Sequence, residues 1–331
     1  MSEGSWMPVV FMGLMGLAML LYVILDGYDL GIGMLMHRAS PAQRDAMIAS
    51  IGPFWDANET WLVLGVGLLL IAFPKAHGIV LTALYLPVAL MLLGLTLRGV
   101  AFDFRVKARD HHKPLWNRAF IAGSALAALA QGWMLGRYIT GFAPDAYSQA
   151  FALVIALALP AAYVLIGACW LILKTEGKLQ QLAIHWARIA WPPVVIGMGV
   201  ISLATPWVSL AVRQRWFTLP DFLGLLPIPL LTLGALALAR VMLSRPRVRS
   251  DLCWVPFFSI VVVFVMGAIG LAFSLYPYVV MNRMTIWQAA SAPKSLAFIL
   301  VGVVITVPAI LGYTVFAYRV FWGKAKPLSY G

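Results

Sequence analysis

Apolar runs of about 20 residues recur along this chain from end to end, separated by short polar connections. Each is close to the length a helix needs to cross a bilayer. The pattern predicts nine spanning helices, at about 7–33, 52–73, 79–103, 119–140, 150–174, 188–211, 222–243, 254–277 and 295–321. Barrel strands would alternate apolar and polar residues over ~10 positions, and that alternation is missing here. The expected fold is therefore all-α and integral to a membrane. Composition agrees, because a chain that is 62% hydrophobic and 11% charged has too little polar surface for a water-soluble globule. The longest connections, about 104–118 and 278–294, are too short to fold alone, so residues 1–331 read as one transmembrane domain.

Charge adds an orientation. Connections that follow odd-numbered spans carry 17 basic residues, from Arg38 and Arg44 to Arg319, Lys324 and Lys326. The other side carries Lys75, Arg137, Arg213, Arg215, Arg283 and Lys294. The positive-inside rule then places the N-terminus outside and the C-terminus in the cytoplasm. The same skew accounts for the net charge of +12. Nucleic-acid binding is a poor reading of that charge, since it is spread over short loops between spans. The N-terminus has Glu3 and no basic leader, and its apolar run continues far past a signal-peptide core, so it reads as an uncleaved first span. Cys169 and Cys253 fall near cytoplasmic span ends, where a structural disulfide is not expected. Trp6, Trp116, Trp133, Trp207, Trp216, Trp254 and Trp322 stand at span ends like an interfacial belt, and Gly65/Gly67 and Gly94/Gly99 suit close helix contacts.

Polar residues inside the spans carry the chemistry. Asp26 and Asp29 share a helix face at the cytoplasmic end of the first span, and Asp56 and Glu59 do so where the second span opens. Asp56 also suits a first-turn position facing the helix dipole. Arg98 and Asp103 lie towards the same end of the third span. Arg98 either snorkels to the interface or pairs with a carboxylate of the first two spans. The later spans are almost free of charge. A group of ionisable residues at membrane depth is costly and marks a functional site. The five histidines, His37, His77, His111, His112 and His185, all fall in loops or near span ends, so this chain offers no axial pair for a haem. The 15 methionines suit apolar packing.

Three stretches together resemble subunit II of the cytochrome bd family of quinol oxidases: DGYDLGIGML at 26–35, GPFWDANETWL at 52–62 and LRGVAFDFR at 97–105. Weaker likeness follows in Tyr276-Pro277-Tyr278, Thr285-Ile286-Trp287 and Leu328-Ser329-Tyr330. The short chain is closer to the cyanide-insensitive branch. Some members have an aspartate after the late tryptophan; Gln288 stands here, so no ionisable role carries over to it.

The resemblance implies two four-helix bundles, 7–140 and 150–277, with 295–321 as a peripheral ninth helix. It implies an accessory subunit of the bacterial inner membrane, paired with a subunit I that bears haems b and d, while this chain ligates none. A structural quinone and a small single-span third subunit occur among relatives. Asp56 best matches the family's proton-path carboxylate. Glu59, Asp26, Asp29 and Asp103 join it as candidates for cytoplasmic proton uptake, with Arg98, Trp55 and Asn58 in charge pairing or at the interface. A purely structural scaffold is the main rival. A secondary transporter is the other, but it would place polar groups near the midplane of two repeats.

Overall fold

The structure is a computed structural model that describes residues 5–325. The expectations resting on Glu3, Lys326 and Leu328-Ser329-Tyr330 lie outside the described residues. Thirteen α-helices follow in order: α1 (Trp6–Leu35), α2 (Pro41–Ile51), α3 (Trp55–Ala72), α4 (Pro74–Lys107), α5 (Lys113–Ile139), α6 (Ala146–Lys174), α7 (Gly177–Val208), α8 (Leu210–Trp216), α9 (Asp221–Leu225), α10 (Pro227–Ser244), α11 (Val255–Leu275), α12 (Ile286–Ala289) and α13 (Pro293–Val320). Among the described residues, nine helices are long and apolar enough to cross a membrane: α1, α3, α4, α5, α6, α7, the α9–α10 run, α11 and α13. The chain is an all-α, multi-pass membrane protein.

Local chemistry explains where the ends differ from the expected spans. The fourth span starts at Lys113 rather than 119, because Pro114 sits in the first turn, where a missing N–H costs nothing. The sixth starts at Gly177 rather than 188. Its first turns carry Lys178 and Gln181 on the exposed side and bury Leu179, Gln180, Ala183 and Ile184 on the other, with Gln180 donating to the Ile172 carbonyl at 3.0 Å, so an amphipathic stretch extends the apolar run. This extension places His185 inside α7, on an exposed face. The short α2 was not expected. Its start is written as a capping box, in which Ser40 Oγ accepts the Gln43 N–H at 3.4 Å and Gln43 Oε1 accepts the Ser40 N–H at 2.9 Å. A second capping box joins Thr285 and Gln288 and opens α12, which gives Gln288 a structural use. A two-stranded hairpin, β1 (Tyr278–Val280) and β2 (Met284–Thr285), precedes it. Asp145 opens α6 by accepting the Ser148 N–H at 2.9 Å. That bond holds its carboxyl below the usual range, so the cap persists at neutral pH and is lost only as pH falls through the lowered value.

The helix α1 is the central post. Every residue from Asp26 to Gly33 is buried, and α1 packs against α3, α5, α6 and α11. A helix enclosed on all sides needs small residues wherever another backbone crosses it. A Cβ on Gly31 would run into the Tyr163 carbonyl of α6. Across the same contact, a Cβ on Gly167 would lie 2.8 Å from Ile32 N and 2.9 Å from Tyr28 O. Gly94 and Gly123 bring α4 and α5 together in the same way: a Cβ on Gly123 would sit 2.9 Å from Arg98 N. Of the other expected contact glycines, Gly65 backs onto Met19 and Gly99 onto Trp55, while Gly67 meets open space. Cys169 and Cys253 are free. Trp6, Trp207, Trp254 and Trp322 are exposed, as an interfacial belt requires. Trp216 instead turns inward and donates to Ser274 Oγ at 2.8 Å.

The α1–α6 crossing is testable. Gly31→Val should prevent the two helices from meeting and abolish accumulation of monodisperse protein in size-exclusion chromatography of detergent extracts. Gly302→Val, at a position with nothing within 4 Å of the added carbon, should accumulate normally. Equal yields would show that the close approach is dispensable.

Candidate functional site

The geometry of α1, α3 and α4 converges on Arg98. Its Nη1 donates to Asp26 Oδ1 of α1 at 2.5 Å, and its Nη2 donates to Glu59 Oε1 of α3. The side chains of Arg98 and Asp26 are each 1% exposed, and that of Glu59 is 29% exposed. One guanidinium thus bolts three spans together. The pairing reading of Arg98 holds and the snorkelling reading does not. Removing one partner of such a pair leaves a desolvated charge, at a cost of about 3–5 kcal/mol.

Asp29 lies one turn beyond Asp26 and is fully buried. Its Oδ2 accepts from Asn58 Nδ2 at 2.8 Å, and no cation pairs with it among the described residues. Asn58 is the hub on α3. Its Nδ2 also reaches Tyr28 Oη at 2.9 Å and the Leu25 carbonyl at 3.2 Å, while its Oδ1 accepts from Tyr318 Oη at 3.1 Å. Tyr28 and Tyr318 meet hydroxyl to hydroxyl at 2.5 Å, which ties the last span, α13, to the first. Asp26 Oδ2, Asp29 Oδ1 and Arg98 Nε have no hydrogen-bond partner among the described residues. Such atoms at the centre of a polar cluster keep capacity for further hydrogen bonds.

The remaining candidates lie apart. Asp56 and Asp103 are exposed and make no ion pair among the described residues. Asp56 stands one turn before Glu59 on α3. Asp56 turns away from Asp26 and Asp29, because it occupies the side of α3 opposite buried Asn58. The buried positions of α3 are Asn58, Trp61, Gly65, Leu68 and Ala72, a regular helical stripe. Asp56 precedes the first of these by two residues, which turns it outward. That stripe was readable in the sequence, and it singles out Asn58. Trp55 is half-buried, with its ring 4.9 Å from that of Phe102 and against Gly99.

Several contributors were not foreseen. Tyr163 Oη donates to Gln131 Oε1 at 2.7 Å, and Gln131 Nε2 donates to Tyr22 Oη at 2.7 Å. This second buried chain ends at Tyr22, one turn before Asp26. A glutamine in mid-span was its sequence signal. Arg105, one of the 17 basic residues counted in the connections after odd-numbered spans, is a buried part of α4 that donates to Asn117 Oδ1 at 2.6 Å and Asp45 Oδ1 at 2.7 Å. Nothing local in the sequence marks Tyr28 or Tyr318, whose partners are distant in the chain.

Among the described residues, no group of three or more His, Cys, Asp or Glu side chains could hold a metal ion. His37 and His185 are exposed, His111 and His112 adjoin in an exposed loop, and His77 sits in the first turn of α4.

These features define a polytopic helical membrane protein built around a buried guanidinium and three carboxyl groups. The chain belongs to the cytochrome bd terminal oxidase subunit II family, whose model matches residues 7–321. Its relatives include the cytochrome bd ubiquinol oxidase subunit 2 of Bacillus subtilis, 26% identical over 93% of this chain and 95% of that protein. Another is the cytochrome bd-I ubiquinol oxidase subunit 2 of Escherichia coli K12, 27% identical over 94% and 93%. The bd oxidase structure from Geobacillus thermodenitrificans has the same fold, with a TM-score of 0.76 at 16% identity, covering 96% of this chain and 99% of that one. The protein is a subunit of an oxidoreductase complex, and it works beside the oxidase's subunit I.

Arg98→Leu should leave Asp26 and Glu59 without their cation and cost about 3–5 kcal/mol of stability. The triple variant Arg98→Leu/Asp26→Leu/Glu59→Gln removes the partners as well and should recover most of the loss. Thermal unfolding of the detergent-solubilised complex checks both. A stable single variant would show that the pairs do not hold the spans together.

Proposed function

We propose that this chain is an accessory, non-haem-ligating subunit of a bd-type oxidase that passes electrons from quinol to dioxygen. In this reading haems b and d reside in subunit I, and the acidic cluster brings cytoplasmic protons towards the site of water formation. The named relatives are ubiquinol oxidase subunits, which supports quinol as the electron donor. The observation that carries the reading is the imbalance around Arg98: three carboxyl groups, Asp26, Asp29 and Glu59, gather about one guanidinium in a water-poor site. Full ionisation would leave unbalanced negative charge there, so gain and loss of protons is the chemistry this arrangement supports.

The route runs inward from the exposed side of α3. Asp56 takes up the proton, Glu59 is half in and half out of the cluster, and Asp26 and Asp29 hold it inside. Asp103, also exposed, lies near the same end of the neighbouring span and feeds or borders the route. With the N-terminus outside and the C-terminus cytoplasmic, uptake from the cytoplasm contributes to a membrane potential. The bundles comprise α1, α3, α4 and α5 on one side and α6, α7, α10 and α11 on the other, with α13 against α1 and α3. The setting is a bacterial inner membrane, and a structural quinone or a small third subunit completes the assembly in some relatives.

A scaffold role is the second reading, favoured by the two ion pairs of Arg98. Two experiments separate them. Asp29→Asn keeps the shape and the Asn58 contact but removes the titratable proton. The variant should assemble with all haems and lose most of its oxygen-reducing turnover and proton uptake, on the order of 10²-fold. Asp56→Asn should do the same, since asparagine keeps the shape and hydrogen-bonding capacity of the first-turn aspartate without its titratable proton. Normal turnover in both fully assembled variants would leave the scaffold as the function. For orientation, a C-terminal fluorescent-protein fusion should be bright and a C-terminal alkaline phosphatase fusion inactive. The opposite pattern would invert the whole scheme.

A further inference from the structure

At the end of the molecule that bears the basic excess, α7 and the end of α10 enclose a recess of about 200 Å³, several times the ~30 Å³ share of a liquid water. Gln181, His185 and Arg188 of α7 line one wall, and Ser244, Arg245 and Arg249 line the other. The second wall is shaped by the segment Ser244-Arg245-Pro246-Arg247-Val248-Arg249, in which Pro246–Arg249 forms a 3₁₀ turn anchored by buried Val248. Arg188 is held by its Nε, which donates to the Leu243 carbonyl at 2.9 Å. Neither Arg245 nor Arg249 has an acidic partner or a side-chain hydrogen bond among the described residues. The nearest acid in the sequence, Asp251, is exposed and pairs with none of them. Three guanidinium groups and a hydroxyl therefore border one concavity with no protein anion to neutralise them.

We propose that this recess binds a phosphate-ester anion, the headgroup phosphate of an anionic phospholipid. Guanidinium groups are planar donors that match phosphate oxygens two at a time, and basic pockets between spanning helices on the cytoplasmic side suit anionic headgroups. The surface beside the recess selects a lipid over a soluble phosphate. Ile189, next to Arg188, is 47% exposed, and Val241 and Leu238, one and two turns before Arg245, are each 46% exposed. These side chains give acyl chains an apolar track leading down from the basic end. Ordinary loop charge would be scattered, whereas here it surrounds a cavity and sits above that track.

The test uses the assembled oxidase, delipidated in detergent and then supplied with phosphatidylglycerol, phosphatidylcholine or inorganic phosphate. Bound lipid is counted by native mass spectrometry, and thermal stability is followed in parallel. Phosphatidylglycerol should bind and stabilise the parent complex, and phosphatidylcholine should not. The double variant Arg245→Ala/Arg249→Ala should lose roughly ten- to thirty-fold in phosphatidylglycerol affinity while keeping its oxidase turnover. Arg247→Ala, on the same turn but outside the recess, should retain binding. Because Arg188 also holds the end of α10, Arg188→Lys is the gentler second variant and should weaken binding without loss of folding. Undiminished phosphatidylglycerol binding in the double variant would overturn the site, as would an equal loss in Arg247→Ala. Protection by inorganic phosphate at the expense of lipid would overturn the lipid assignment and leave a soluble anion in its place.

Discussion

A guanidinium that cannot discharge is the fixed point of this structure. An arginine keeps its charge even when buried, so the protein must bring anions to it. Arg98 obtains them from Asp26 on one neighbouring helix and Glu59 on another. The rest of the arrangement follows. Gly94 and Gly123 let α5 approach the Arg98 backbone, and the small residues of α1 let α6 close over the other side. What keeps water out is apolar packing; what fixes the register of three spans is one cation.

The same constraint links structure to chemistry. If two carboxyl groups neutralised one guanidinium and nothing else were nearby, the cluster would be a staple. A third carboxyl, on Asp29, sits beside it with only the Asn58 amide for support. A staple has no need of Asp29. The proposed route uses it, and uses Glu59 because that side chain alone spans from the protected interior to the exposed side of α3.

Much of this was legible in the sequence, and the reasons are local. Nine spans follow from run length, because a bilayer imposes a length on any helix that crosses it. The Asp26/Asp29 pair and the need for an Arg98 partner follow from helical spacing and the cost of buried charge. Which of Asp56 and Glu59 turns inward was not read from the spacing alone. Residues three apart differ by about 60° round a helix, enough to turn one inward and leave the other at the surface. The buried stripe beginning at Asn58 resolves that ambiguity. Amphipathic extensions such as the first turns of α7 escaped because their polar faces break the apolar run. Tyr28 with Tyr318, and Arg105 with Asp45, depend on contacts across the chain that no local pattern encodes.

The hydroxyl contact between Tyr28 and Tyr318 has a bearing on how the protein is made. Tyr28, Asn58 and Asp29 belong to the first two spans, whereas Tyr318 is near the end of the last. A chain emerging from its N-terminus therefore carries Asn58 Oδ1 without its tyrosine donor until α13 has been made. The polar centre is closed only when α13 arrives and lays Tyr318 over Phe54, with ring centroids 4.5 Å apart. The last helix acts as a completion mark: a chain cut short before it keeps most of its spans and lacks the finished site.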